Sequence, residues 1–173
     1  MNGARPNPGT LLVLRGNSGS GKSTVARGLR NASSDNVVWI EQDYVRRVVL
    51  AETGGEQQPL TAVMIEAMAR CALDGGHVVV IDGILDAQRY SAMLQRLHEV
   101  HHGRAGYYYF SIPVEETVRR HATRPLAEVV SSDEMRGWYR DNDVLGFVDE
   151  QVVDAVATAQ ATVERIMKEC SLD

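Results

Sequence analysis

The chain has 173 residues, which suits one domain able to take roughly 70% of its unfolded surface out of water and leaves no room for two catalytic domains. A hydrophobic fraction of 44% and a charged fraction of 24% exclude a disordered chain and a coiled coil. With 18 Lys+Arg against 23 Asp+Glu the net charge is -5, so extended nucleic-acid binding, which needs a basic surface to neutralise phosphates, is disfavoured. Lys22 and Lys168 are the only lysines, so a lysine in a glycine-rich turn stands out against the arginine background. The two cysteines, Cys71 and Cys170, are too few for a disulfide framework; both sit in apolar helical patterns and are expected as buried thiols. No apolar run approaches the about 18 residues of a membrane span, and Met1 to Thr10 lacks the apolar core of a signal peptide. A cytoplasmic location without membrane association is the expectation.

In chain order, Met1 to Gly9 reads as a frayed start, and Leu11 to Leu14 as a short, fully buried strand ended by Gly16. A helix follows from Lys22 to about Arg30, with Val25, Ala26 and Leu29 inward and Gly28 permitting close packing. Val37 to Ile40 is a second strand, with Asp43 just past its end and a helix expected to carry Tyr44 to Leu50. Leu60, Met64, Met68 and Cys71 recur at helical spacing and predict a core face before Gly75 and Gly76. His77 to Ile81 is the clearest strand. Ala87 to about His101 is helical, capped by Asp86, with Tyr90, Met93, Leu94, Leu97 and His101 inward.

Tyr107 to Ile112 forms the next strand, and Pro113, Glu115 and Glu116 open a helix in the way the helix dipole favours. Ser131 and Glu134 have capping-box spacing for a short helix through about Arg140. Gln151 to Val153 is a short fifth strand, and Thr158 to Cys170 a closing helix with Val163, Ile166, Met167 and Cys170 on one side. Strands alternating with helices predict an α/β fold with a mostly parallel sheet covered on both faces.

Gly16-Asn17-Ser18-Gly19-Ser20-Gly21-Lys22-Ser23, followed by Thr24, meets the full Gly-x4-Gly-Lys-Ser pattern between a strand and a helix. The glycines let backbone N-H groups turn inward toward phosphate oxygens at the helix start. Lys22 can reach the β and γ phosphates, Ser23 can ligate magnesium and Thr24 can reach the α phosphate. ATP or GTP with Mg2+ is the expected ligand. Ligands of an open parallel sheet lie beyond the carboxyl ends of its strands, where both Asp43 and Asp82 fall. Asp82 is the metal-side candidate. Asp43 is the candidate to accept a hydrogen bond or proton from an acceptor hydroxyl, with Arg46 or Arg47 steadying substrate and Glu41 as a competitor for the acidic role. Helix capping is the alternative role of Asp43.

Arg119, Arg120 and Arg124 cluster after the fourth strand, with Arg120 and Arg124 sharing a helical face from which guanidinium forks could close over phosphates. The alternative is solvated helix charge paired with Glu115 and Glu116. Pro125 breaks this helix before Ser131 starts the next, so a helical lid is expected over 119–140, with Trp138, Tyr139 and Phe147 packed near it.

These motifs resemble those of the small P-loop kinases that phosphorylate metabolites, nucleotides or antibiotics, among them shikimate and gluconate kinases, chloramphenicol phosphotransferase and zeta-toxin-like kinases. The resemblance covers about Leu11 to Cys170. It implies a P-loop NTPase three-layer sandwich with a five-stranded sheet in 2-3-1-4-5 order, one domain over 1–173, Asp43 near the acceptor and Arg120 or Arg124 in the lid. Asp82-Gly83-Ile84 lacks the glycine cluster of shikimate kinases at this point. The expected activity is phosphoryl transfer to a small-molecule hydroxyl by a monomer or homodimer; a nucleotide or polynucleotide-end kinase and a regulatory NTPase are the alternatives.

Overall fold

The computed structural model describes residues 8–52, 59–121 and 131–172. Five strands, β1 (Thr10–Gly16), β2 (Val37–Glu41), β3 (Val78–Gly83), β4 (Arg104–Phe110) and β5 (Gln151–Val153), form one parallel sheet in the order β2-β3-β1-β4-β5. This is the P-loop NTPase sandwich expected above. Alternation along β1 divides the core. Leu11 and Val13 face a cluster with Ile65, Ala69, Tyr90 and Leu94, while Leu12 and Leu14 face one with Val25, Leu29, Val163 and Ile166.

The first cluster is covered by α3 (Pro59–Asp74) and α4 (Ala87–Val100), the second by α1 (Lys22–Ala32) and α7 (Ala159–Cys170). Gly28 lets α1 approach α7 closely, since a Cβ there would stand 2.6 Å from Val163 Cγ2. Between β2 and α3 lie the short α2 (Gln42–Tyr44) and the π-helical turn Val45–Val49, so the helix expected at Tyr44 to Leu50 is shorter and wider than a regular α-helix. After β4 come α5 (Val114–His121) and α6 (Ser132–Trp138).

The caps stand where the sequence places them. Asp86 accepts from the N-H of Arg89, and Ser131 and Glu134 complete a reciprocal capping box. Three expectations are corrected. In α3 the buried face is Thr61, Ile65, Ala69 and Leu73; Leu60 and Cys71 are exposed, and Met64 and Met68 only flank the core. Both stripes have helical spacing, and the inner one is selected by the small Ala69 and by the Thr61 hydroxyl, which donates to Glu52 Oε1 at 2.7 Å. Cys170 is the buried thiol and Cys71 is not. His101 likewise lies past the end of α4, with its Nε2 3.1 Å from the Arg104 carbonyl.

One core residue departs from strand chemistry altogether. Arg15, on the same face of β1 as Leu11 and Val13, is 0% exposed. Its Nε donates to the Leu85 carbonyl, Nη1 to the Asp143 carbonyl and both Glu150 carboxylate oxygens, and Nη2 to Asp143 Oδ2 at 2.6 Å. The guanidinium carbon also stands 5.3 Å from the centroid of Tyr109 on β4. Arg15→Met keeps bulk but strands two carboxylates, so we expect a loss of about 3–5 kcal/mol in urea unfolding. An unchanged midpoint would show that water satisfies Asp143 and Glu150 equally well.

Candidate active site

The turn from β1 into α1 is built by backbone conformations that side chains resist. Gly16, Gly19 and Gly21 have φ of 141°, 77° and 103°, and a Cβ on Gly16 or Gly19 would meet the Phe110 or Thr117 carbonyl at 2.7 Å. Gly21 caps α1 with no side-chain bond, which leaves the first N-H groups of the helix for a ligand. Lys22 is buried, and its ammonium donates to the Asn17 carbonyl at 2.8 Å and to Ser20 Oγ at 3.1 Å, curled over the loop it serves. Ser18 is half-buried, Ser23 half-buried and Thr24 exposed along the same turn.

Asp82 lies on β3 beside Leu14 of β1 and Glu41 of β2, and its side chain shares the α1 side of the sheet with Val78 and Val80. It is 0% exposed. Oδ1 accepts from the Trp39 indole at 3.0 Å, whereas Oδ2 is buried without a hydrogen-bond partner. Burial pushes its carboxyl above the ordinary carboxylate range, against the pull of the Ser23 hydroxyl, the Trp39 indole and the Lys22 ammonium; Asp43 pushes it further up. A buried, unsatisfied carboxylate oxygen near a hydroxyl is a donor set that suits a hard divalent cation such as Mg2+. Ser23 and Asp82 are the residues that would hold it.

Asp43 lies in the first turn of α2 and is 52% exposed, within 3.9 Å of Arg46 and 3.7 Å of Arg47. It makes no side-chain cap bond on α2: the cap position is Glu41. The Glu41 carboxyl is raised by burial first and then by Asp82 and Asp43, with Arg27 of α1 opposing. Glu41, Asp43 and Asp82 therefore form one acidic group at the carboxyl ends of β2 and β3. Arg46 is held on its far side by Glu52, whose Oε2 accepts from Nε at 3.2 Å.

Trp39 and Gln42, which sequence reasoning missed, position this group, and Asn17, expected only as a phosphate-loop residue, makes a further long-range contact. Trp39 orients Asp82. Gln42, also buried, accepts from the Leu85 N-H at 3.2 Å and donates to the Tyr90 hydroxyl at 2.8 Å, locking α2 to the turn after β3; Gly83 is glycine because a Cβ would meet Gln42 Cβ at 2.5 Å. Asn17 donates to the Arg140 carbonyl at 2.7 Å and accepts from the Arg140 N-H at 2.9 Å. No sequence signal marks these bonds, apart from the rarity of a tryptophan beside a strand-end acid.

Arg120 reaches the loop from α5. Its Nη1 donates to the Ser20 carbonyl at 3.2 Å, Nη2 to the Ala155 carbonyl at 3.3 Å, and Nε to Glu116 at 2.6 Å. Glu116, bonded to both Arg119 and Arg120, has its carboxyl pulled down to about 2. Arg119 points to solvent, paired with Glu116 at 2.7 Å. Arg124 and the middle of the expected lid, 122–130, lie outside the described residues. Of the aromatic residues expected near the lid, Tyr139 donates to the Ile112 carbonyl, Trp138 is exposed, and the half-buried Phe147 packs edge-on to Tyr107 and tilted to His98 at the margin of the core. A cavity of about 440 Å³ opens beside the loop, lined by Gly21, Thr24, Phe110, Arg120, Val153 and the turn through Asp154 to Ala159.

A family model described as AAA domain matches residues 11–137, a span that runs from β1 through the phosphate loop to α6. The chain belongs to the AAA domain family. No curated protein matches the sequence. Among solved structures it is similar to the APS kinase CysC of Mycobacterium tuberculosis in complex with AMPPNP and APS, at 18% identity and TM-score 0.73 over 94% of this chain and 98% of that one. It is similar to a gluconokinase from Sinorhizobium meliloti at 18% identity and TM-score 0.65, over 96% and 94%. A chain of the Pnkp1/Rnl/Hen1 RNA repair complex matches at 23% identity and TM-score 0.60, over 99% of this chain and 48% of that one. What is shared at these identities is the P-loop kinase fold.

Because burial raises the Asp82 pKa in the folded state, the folded protein holds a proton there more tightly than the unfolded chain does. Its contribution to stability is greatest below the ordinary carboxylate pKa and declines as pH rises through the raised one. Asp82→Asn is neutral throughout. At pH 7 we expect its melting temperature to equal or exceed that of the wild type, while magnesium-dependent turnover falls by about 100-fold. Melting several degrees lower with turnover intact would make Asp82 a structural group.

Proposed function

We propose that the protein is an ATP-dependent kinase that transfers the γ-phosphoryl group to a hydroxyl of a small molecule, a metabolite or an antibiotic. The observation that carries this reading is the gathering of opposite charges around one loop. Lys22 and Arg120 stand at the phosphate loop, and Glu41, Asp43 and Asp82 stand together at the adjoining strand ends. A protein that only binds nucleotide has use for Asp82 but none for the exposed Asp43 backed by Arg46 and Arg47.

In this reading the backbone N-H groups of residues 16–24 cradle the phosphates, and Lys22 swings from its loop contacts to their oxygens. The 440 Å³ cavity takes the nucleoside, with Arg120 between it and the phosphates. Mg2+ held through Ser23 and Asp82 would neutralise phosphate charge. Asp43 accepts the hydrogen bond of the incoming hydroxyl and orients it. Proton removal is a smaller demand than positioning in a loose phosphoryl-transfer transition state, so an exposed carboxylate that orients the hydroxyl suffices. The cytoplasmic setting expected from the sequence belongs to the same reading.

A second reading, a polynucleotide-end kinase, is favoured by one comparison: another chain described as from the Pnkp1/Rnl/Hen1 complex is 27% identical over 69% of this chain, at TM-score 0.56. The net charge of -5 restricts such an acceptor to a short end.

The test is a screen of hydroxyl compounds, with 5'-hydroxyl oligonucleotides included, for acceptor-stimulated ADP release and a phosphorylated product by mass spectrometry. Asp43→Asn should keep nucleotide affinity within about twofold while product formation falls by about 100-fold, and Lys22→Ala should lose about as much with the fold intact. Wild-type transfer in D43N makes Asp43 a spectator and leaves Glu41 as the acceptor-side acid. Parallel loss of nucleotide binding would assign Asp43 to the metal side.

A further inference from the structure

We infer that the apolar groove between the open edge of β2 and α3 holds the body of the phosphate acceptor, and that this acceptor is an uncharged alcohol with a ring-bearing, apolar frame. The inference rests on the kinase reading above and names its substrate class.

β2 is an edge strand, hydrogen-bonded to β3 alone. Beside its open edge lies a cavity of about 730 Å³, larger than the cavity of about 440 Å³ at the phosphate loop and of a size that suits a small molecule. Its walls are Val38 and Ile40 of β2, Val45 and Val49 of the π-helical turn, and Met68 and Cys71 of α3. The second apolar stripe of α3 thereby finds a use. Ile65, Ala69 and Leu73 go to the core, whereas the half-buried Met68 and exposed Cys71 wall the groove. Tyr44 and Val49 at its rim are 56% and 49% exposed, apolar surface that gains by being covered.

Two residues join the groove to the acidic group. Glu41 lines it and also stands with Asp43 and Asp82 at the strand ends. Trp39 lines it while its indole donates to Asp82 Oδ1 at 3.0 Å. Tyr44, the neighbour of Asp43, is a lining residue as well. A molecule lying in the groove therefore ends at the carboxylates that an acceptor hydroxyl must meet.

The chemistry of the lining selects the class. Glu41 is its one carboxylate, and no described lysine or arginine lines it. A carboxylate or phosphate on the acceptor's body would find no cation there, and it would lie beside a Glu41 carboxyl that burial and two neighbouring acids already push up. A polyol is no better served, since Val, Ile and Met side chains leave its hydroxyls without partners. A neutral ring buries its faces against the same side chains and forfeits no hydrogen bond. With the body so held, the alcohol oxygen forms the new bond to the γ phosphorus as the bond to the β–γ bridging oxygen breaks. ADP departs with that electron pair, and the hydroxyl proton passes to Asp43.

The test uses the full-length protein with Mg2+ and two neutral probes: N-phenylnaphthylamine, a dye whose fluorescence rises when it leaves water, and naphthylethanol, a ring-bearing alcohol. Wild type should bind the dye, and naphthylethanol should displace it where gluconate and glycerol do not. With ATP present, naphthylethanol should raise ADP release by at least about tenfold over the acceptor-free rate and yield its phosphate ester by mass spectrometry. Ala67→Trp puts bulk into the groove from an exposed position of α3. It should weaken dye binding and lower ester formation by about tenfold each, with ADP affinity and melting temperature held. Alkylation of exposed Cys71 by N-ethylmaleimide should do the same to wild type and nothing to C71S. Wild type that binds neither probe overturns the inference, as does naphthylethanol that binds without forming an ester, or equal ester formation in A67W and wild type. A wild-type dimer in light scattering that excludes the dye and is split by A67W also overturns it and makes the groove an interface between copies. Phosphorylation of gluconate, glycerol or a 5'-hydroxyl oligonucleotide but not of naphthylethanol leaves the kinase reading standing and overturns this inference alone. ADP release that no hydroxyl compound stimulates overturns the kinase reading itself.

Discussion

A single buried guanidinium fixes the geometry on which the candidate site depends. Arg15 is the last side chain before the phosphate loop, and it sits where the alternation of β1 calls for an apolar residue. Burying a cation costs several kcal/mol unless its donors are filled, and here they are filled from the turn after β3 and from residues 143 and 150. Such a set of bonds has one solution. It holds the strand end, the β3–α4 turn and the segment before β5 at fixed positions around the loop.

The division of the sheet's two faces explains how opposite charges coexist there. Arg15 shares the face of Leu11 and Val13, where it is sealed by Asp143 and Glu150. Asp82 and Glu41 fall on the face of α1, beside Ser23, Lys22 and Arg27. The acids next to the phosphate loop are therefore not cancelled by Arg15; burial raises both carboxyls, Asp82 and Asp43 raise that of Glu41 further, and Asp43 raises that of Asp82. The fold carries an electrostatic cost at the strand ends that a divalent cation and an incoming substrate would relieve.

The sheet was legible because its signals are local. Apolar runs ending in Gly16, Glu41 and Gly83, the Asp86 cap and the Ser131 to Glu134 box all lie within a few residues of what they determine. The phosphate loop was legible for the same reason. Arg15, Trp39, Gln42 and the contact of Asn17 with Arg140 were not, because each acts through partners 43 to 135 residues away that no periodicity records. The α3 face was misread where two stripes of helical spacing competed, and the buried stripe includes the polar Thr61, whose hydroxyl Glu52 satisfies. In each case hydrophobic pattern lost to a hydrogen bond made at a distance.

That contrast bears on how the site is assembled. The loop residues that meet phosphate come from one contiguous motif, so their geometry follows from local backbone conformation. The groups around them arrive from α2, β3, α5 and the segment after α6, and each is held by a side-chain bond back to the sheet or the loop: Gln42 for α2, Trp39 for Asp82, the Ser20 carbonyl for Arg120, Asn17 for Arg140. The flanks of the expected lid, α5 on one side and residue 140 on the other, are both bonded to the same loop. Both flanks are thus tied to the turn between β1 and α1 through bonds of 2.7 to 3.2 Å, so the site's periphery is positioned by the same loop that forms its centre.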